Sequence, residues 1–207
     1  MRGLYLVTPD WDDTQKLLEV TEAGLRGGAA LVQYRHKTAS PALRKEQAAQ
    51  LQALCRRYGR PFIVNDFVKL CIDLDADGIH VGGTDTAVAQ VRAAVGPAKI
   101  VGATCYGSLQ RAEHACQAGA SYVAFGGFYP SLVKKYPSTT PLGIVNEAKQ
   151  RIPLPNVVIG GMTPQNAQPL VSAGADMVAA ISSVYQAKNP EAAAREFAQL
   201  FDTARPE

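Results

Sequence analysis

Eight short β-rich runs recur along the chain, at 3–8, 29–35, 61–65, 78–81, 99–104, 121–126, 156–160 and 176–182. Segments with helical periodicity lie between most of them. Leu17, Leu18, Val20, Thr21 and Leu25 share one helical face, and Leu43, Ala48, Leu51 and Leu54 share another. Thr163 and Pro164 open a helix that Gly174 stops, and Asn189 with Pro190 opens the last one. Ala-Gly-Ala precedes two of the strands, at 118–120 and 173–175, as expected of a helix C-cap leading tightly into a strand. Eight alternating βα units with no break in composition predict one parallel α/β domain over residues 1–207. Eight is also the number that closes a (β/α)8 TIM barrel, a fold of roughly 250 residues with a lower limit near 200. A doubly wound open sheet is the alternative, but it would more often carry an early GxGxxG turn. Gly24, Gly27 and Gly28 do not match that spacing and read as a helix terminus.

Composition narrows the functional classes. A net charge of +3 without a Lys/Arg run gives no basic surface for nucleic acid. Cys55, Cys71, Cys105 and Cys116 show no CxxC pair and read as reduced core thiols of a cytoplasmic protein. The apolar run at 4–7 is too short for a signal peptide, and no segment nears the ~20 apolar residues of a membrane span. Small molecules are therefore the expected partners, with neither nucleic acid nor membrane. Self-association into a homo-oligomer is left open.

In a parallel barrel, functional groups collect where strands end. The second strand ends Gln33-Tyr34-Arg35-His36-Lys37. Alternation points Gln33, Arg35 and Lys37 one way and Val32, Tyr34 and His36 the other. Burying cations without partners is costly, so such a strand implies an anion waiting for them, unless it is a solvated edge. The third strand ends Asn65-Asp66, the fourth is followed by Asp85, and the fifth ends at Thr104. The sixth leads into Ser131 and Lys134, the seventh ends Gly160-Gly161, and the eighth ends Ser182-Ser183. The Gly160-Gly161 turn before a helix, together with Ile181-Ser182-Ser183, suits a phosphate. Gln33, Arg35, Lys37, Asn65 and Lys134 form a second anion cluster. Beside it, Asp66 and Asp85 match the few carboxylates by which Mg2+ is held alongside a substrate phosphate.

One phosphate site plus one Mg2+-pyrophosphate site on the same rim suggests two phosphorylated substrates joined with loss of pyrophosphate. No Ser-His-Asp set is evident. His80, inside the apolar run Ile79-His80-Val81, reads as a satisfied core histidine. His36 faces away from the rim and His114 lies in a helix. Asp73, Asp75 and Asp77 precede the fourth strand and read as solvated charges.

Along nearly its whole length the chain resembles the thiamine phosphate synthase family. The resemblance is carried by Tyr5-Leu6-Val7-Thr8, Val32-Gln33-Tyr34-Arg35-His36-Lys37, Ile63-Val64-Asn65-Asp66, Gly78-Ile79-His80-Val81-Gly82 with Asp85, the segment 126–134, Ile159-Gly160-Gly161-Met162-Thr163, and 174–183. It implies condensation of 4-amino-2-methyl-5-hydroxymethylpyrimidine diphosphate with a thiazole phosphate, giving thiamine phosphate and pyrophosphate. It also implies that pyrophosphate leaves before the thiazole nitrogen attacks. By resemblance, Gln33, Arg35, Lys37, Asn65, Thr104 and Lys134 hold the pyrimidine diphosphate, with Arg35, Lys37 and Lys134 as the catalytic cations. Asp66 and Asp85 hold Mg2+, while Ser131, Val133, Gly161, Ile181 and Ser182 hold the thiazole phosphate. The chain departs from the family pattern at Ser131 and Val133, where threonines are usual, at Gly83, often glutamine, and at Thr104, usually serine. The loop after Thr104 looks one residue longer, which leaves Cys105 as an alternative alignment. A thiazole tautomerase-like barrel enzyme is the first alternative. Relatives of that type tend to lack the metal aspartates and to carry a histidine where this chain has Tyr106. A non-catalytic thiamine-precursor-binding barrel is the second.

Overall fold

The computed structural model describes residues 1–82, 85–130 and 140–202, the side chains of residues 85 and 86 excepted. Eight parallel strands pair in sequence order and close on themselves, β8 returning to β1. They are β1 (Gly3–Val7), β2 (Leu31–Tyr34), β3 (Phe62–Asn65), β4 (Gly78–Val81), β5 (Ile100–Tyr106), β6 (Tyr122–Gly126), β7 (Asn156–Ile159) and β8 (Met177–Ala180). Around them lie α1 (Thr14–Arg26), α2 (Pro41–Arg57), α3 (Val68–Asp73), α4 (Asp85–Val95), α5 (Leu109–Gln117), α6 (Ile144–Arg151), α7 (Pro164–Ser172), α8 (Ser182–Tyr185) and α9 (Pro190–Gln199). The expected TIM barrel is therefore the observed one.

Strand alternation divides the core in two. Leu4, Leu6, Val32, Tyr34 and Val64 face outward into a layer shared with the helices. Tyr5, Val7, Leu31, Ile63, Tyr122, Ala124, Val157, Met177 and Ala179 face inward and fill the barrel. The helix ends follow their capping residues. The Thr163 hydroxyl accepts from Asn166 N–H while the Asn166 side chain accepts from Thr163 N–H, with Pro164 in the first turn of α7. Asn189 caps α9 and Pro190 follows it. Gly119 and Gly174 turn left-handed after α5 and α7, with φ of 94° and 103°.

Four boundaries differ from the sequence reading. β2 stops at Tyr34 because Arg35 finds its backbone partners in a side chain: the Thr8 hydroxyl accepts from Arg35 N–H (2.8 Å) and donates to Arg35 C=O (2.9 Å). β5 runs two residues further than expected because a bulge shifts its register. Thr104 pairs with Ala124 and Tyr106 with Phe125, leaving Cys105 as the extra residue. Ser182 and Ser183 do not end a strand; they open the short α8 after Ile181. Gly27 caps α1, but Gly24 lies inside it, where a Cβ would sit 2.5 Å from Leu6 Cδ1.

Asp73, Asp75 and Asp77 are exposed, as expected, but each has a partner: Lys69, Lys99 and the backbone N–H of Phe62. They lie at the N-terminal side of β3 and β4, away from the strand ends that carry function.

Gly78 tests how tightly the staves fit. A Cβ there would meet the Ile100 carbonyl oxygen at 2.2 Å and Ile100 Cβ at 2.6 Å. Backbone cannot yield as a side-chain tip does, so Gly78→Ala should cost about 1–3 kcal/mol. Urea denaturation should show a lower midpoint, and an unchanged midpoint would mean that β4 and β5 slide freely.

Candidate active site

A cavity of about 360 Å³ opens at the C-terminal mouth of the barrel, within the usual range for a ligand site. Its wall includes Gln33, Arg35 and Lys37 after β2, Asn65 and Asp66 after β3, and Thr104 in β5. Gly161 after β7, with Ile181 and Ser182 after β8, completes it. The structure thus brings together residues expected to hold the two substrates. Thr104 lines this cavity, whereas Cys105 is buried in the outer layer with its thiol toward Ala103 C=O. Ser131, Val133 and Lys134 lie outside the described residues. Asp85 opens α4, but its side chain is likewise outside the description.

Gln33, Arg35 and Lys37 all line the cavity, as alternation predicts, although β2 itself stops at Tyr34. Gln33 points inward, and its amide N–H donates to the Tyr5 hydroxyl at 2.7 Å. Arg35 is nearly buried and forms both its Nη1 contacts with one carboxylate, Asp10, at 3.1 and 3.2 Å. The same carboxylate accepts from Lys37 N–H at 3.0 Å. Sequence reading missed Asp10, which sits in the loop after β1 and is far from Arg35 along the chain. Lys37 itself is exposed at the mouth, free to swing toward an anion. His36 turns outward, as expected: its Nδ1 accepts from Ala39 N–H, so its Nε2–H donates to Asp12 at 3.1 Å.

Asp66 is exposed and held at a φ of 64°, a left-handed conformation that non-glycine residues seldom adopt. Two bonds impose it: Asp66 N–H donates to His80 C=O (2.9 Å), and Asn65 Nδ2–H donates to the Asp66 carboxylate (2.7 Å). Backbone strain of this kind concentrates at functional sites. An exposed carboxylate fixed beside an amide at a cavity mouth is a hard-oxygen donor suited to Mg2+. Among the described residues no cluster of three metal-ligating side chains occurs. Few protein ligands is the usual arrangement for Mg2+ carried with a phosphate.

The Gly160-Gly161 turn needs glycine for two reasons. Its φ angles are 118° and 61°. A Cβ on Gly161 would also lie 2.1 Å from Pro130 C=O, and one on Gly160 would lie 2.9 Å from Gly127 N. The turn is packed against the loop after β6, with its glycines lining the cavity. His80 is satisfied at both ring nitrogens, as a core histidine should be, yet its ring also lines the cavity. Tyr5 also lines the cavity, and Tyr122 is buried behind it, bonded to both Tyr5 and His80. For Tyr122 the only sequence signal was a polar aromatic at an inward-facing strand position.

A family model for thiamine monophosphate synthase matches residues 4–184. The chain belongs to that family. It is 65% identical over 201 residues to the thiamine-phosphate synthase of Janthinobacterium sp. (strain Marseille), with 97% of each chain covered. With the thiamine-phosphate synthase of Thiobacillus denitrificans it shares 47% identity over 205 residues, covering 99% of this chain and 97% of the relative. Among solved structures, the thiamine phosphate pyrophosphorylase of Pyrococcus furiosus superposes with a TM-score of 0.84 at 29% identity, covering 97% of this chain and 96% of that one. A 3-hexulose-6-phosphate synthase, at a TM-score of 0.70 and 20% identity, shares the fold alone.

Inorganic pyrophosphate is the simplest probe of the cation cluster. Hydrogen bonds to charged groups are worth about 1.5–3 kcal/mol, or roughly 10- to 150-fold in affinity. Titration calorimetry of Arg35→Ala and Lys37→Ala should show losses in that range, smaller at high salt. Wild-type affinity in either variant would remove that residue from the anion site.

Proposed function

We propose that this chain joins 4-amino-2-methyl-5-hydroxymethylpyrimidine diphosphate to a thiazole phosphate, forming thiamine phosphate and pyrophosphate, as an alkyl-transferring transferase. Family membership over most of the chain supports the reaction class. The observation that carries the reading is the convergence, in one cavity, of Gln33, Arg35, Lys37 and Asn65–Asp66 on one side with Gly161, Ile181 and Ser182 on the other. Residues 1–207 act in this reading as one barrel domain.

The diphosphate belongs with Arg35, Lys37, Asn65 and Lys134, and the pyrimidine with Gln33 and Thr104. The thiazole phosphate belongs with Gly161, Ile181, Ser182 and the segment containing Ser131 and Val133. With Val133 in place of a threonine, contacts there come from backbone N–H groups and the Ser131 hydroxyl. The C–O bond to the diphosphate breaks first, its electron pair leaving on the phosphate oxygen. The thiazole nitrogen lone pair then forms the new C–N bond at the methylene carbon. No base is needed, so the protein's task is to stabilise a departing anion. Arg35, Lys37 and Lys134 supply fixed positive charge for it, and Asp10 keeps Arg35 in place. Asp66 and Asp85 would hold Mg2+, which when bound neutralises charge on the pyrophosphate.

The coarser features agree with a small-molecule biosynthetic role. Among the described residues no helix is long and apolar enough to cross a membrane. None of the four cysteines forms a disulfide, and burial pushes the Cys55 thiol up to about 12 and the Cys71 thiol up to about 11. Cysteines without disulfides, two of them buried and hard to ionise, support a reducing cytoplasmic setting.

The test is a two-substrate assay for pyrophosphate release. Release should require both substrates, stop with a chelator and return with Mg2+. Turnover unaffected by the chelator would remove the metal from Asp66 and Asp85. Conversion of a thiazole phosphate without pyrophosphate release would instead favour a tautomerase.

A further inference from the structure

Five buried or half-buried polar side chains from five strands form a continuous hydrogen-bonded line across the barrel floor. Gln33 Nε2–H donates to the Tyr5 hydroxyl (2.7 Å), which bonds the Tyr122 hydroxyl (2.7 Å). The Tyr122 hydroxyl bonds His80 Nδ1 (2.9 Å), and His80 Nε2 bonds the Thr104 hydroxyl (2.8 Å). Tyr122 is 0% exposed, Tyr5 1%, Gln33 4% and His80 8%, so water cannot stand in for most of these partners. The rings are locked as well. Tyr5 meets Tyr122 edge-on at 5.9 Å, and His80 stacks on Tyr122 at 5.6 Å. Gly102 opens the space for this crossing: a Cβ there would lie 2.0 Å from Tyr122 Cζ and 2.2 Å from its oxygen.

Counting donors gives the line a direction. The Tyr5 oxygen already accepts from Gln33, so its own hydrogen must find an acceptor, and Tyr122 is the one present among the described residues. If Tyr122 donated back to Tyr5, a buried phenol hydrogen would be stranded, at a cost that native interiors avoid. Both phenols stay protonated at neutral pH because burial raises their pKa values. Tyr122 therefore donates to His80 Nδ1, which leaves the ring's N–H at Nε2, where it donates to Thr104. The Thr104 oxygen then accepts from His80, and its own hydrogen is left to donate toward the cavity that Thr104 lines.

We propose that Tyr122, through His80, is a positioning residue that turns the Thr104 hydroxyl hydrogen toward the cavity, so that the substrate atom facing it is an acceptor. Tyr5 sets the direction and Gly102 gives Tyr122 its room. The ligand part of this proposal rests on a pyrimidine diphosphate occupying the cavity; the polarity of the relay does not.

The direct test is 15N NMR of histidine-labelled protein, which contains three histidines. His80 should show an unprotonated Nδ1 and a protonated Nε2 near neutral pH. A proton on Nδ1 overturns the relay whatever the substrate. Tyr122→Phe keeps the ring and should retain the urea midpoint to within a modest shift. Its KM for the pyrimidine diphosphate should rise roughly 5- to 10-fold, as for one lost neutral hydrogen bond, with kcat and the thiazole KM nearly unchanged. An unchanged pyrimidine KM overturns the positioning role. If Tyr122→Phe does not fold, Tyr5→Phe serves: it removes the directing constraint and should yield a mixture of His80 tautomers, and a spectrum like wild type overturns the donor count. Thr104→Val distinguishes the two acceptors. Weaker binding of inorganic pyrophosphate places the acceptor on the diphosphate, weaker binding of the pyrimidine alcohol places it on the ring, and loss of neither overturns the proposal. A wild-type protein with the expected tautomer but no turnover would instead overturn the reaction assignment alone.

Discussion

Closing eight parallel strands into a barrel leaves an interior only as wide as the side chains that fill it, and the chemistry at the mouth depends on how that interior is filled. Here the filling is not wholly apolar. Two tyrosines meet at the centre, and they are tolerated because each phenol finds partners on other strands across the barrel. The room comes from Gly102 on β5. The barrel floor is thus a polar line rather than a plug of aliphatic groups, and its ends, Gln33 and Thr104, reach the cavity. The packing of the barrel interior and the wall of the cavity here share atoms.

Charge at the mouth is arranged by the same economy. Arg35 is nearly buried and would be costly without a counter-charge; Asp10 supplies one and also ties down the Lys37 backbone. Among the described residues the Lys37 side chain meets no such counter-charge, and it stays exposed. One cation is preorganised and the other is adaptable, which suits a leaving group whose charge grows as its bond breaks. On the next strand, Asp66 is held in a left-handed conformation by the His80 carbonyl and by Asn65. The β4 backbone therefore orients the proposed metal carboxylate, while the side chain of the same His80 serves the relay.

The legible parts of the site were those with local signatures. Gln33, Arg35 and Lys37 were assigned to one face by a period of two, and all three line the cavity although β2 ends at Tyr34. Gly160-Gly161 and Asn65-Asp66 were visible as strand ends next to helix starts. Asp10 was not legible, because its partner is 25 residues away and is met only when β1 and β2 pair. Tyr5 and Tyr122 were hidden for a related reason: within a strand a tyrosine looks like any other core aromatic, and these two are 117 residues apart. The bulge at Cys105 was seen only as an ambiguity between two alignments. Pairing with β6 resolves it by placing Thr104 toward the cavity and Cys105 in the outer layer.

By itself the sequence determined the alternation of strand and helix, the number eight, the helix caps and the faces on which polar residues fall. These follow from side-chain periodicity and backbone preference, which act over a few residues. Tertiary structure decided where β2 ends, which carboxylate holds Arg35, and how the hydroxyls and His80 join into one line. Those outcomes need atoms from different strands within 3 Å of one another, and only barrel closure brings them there.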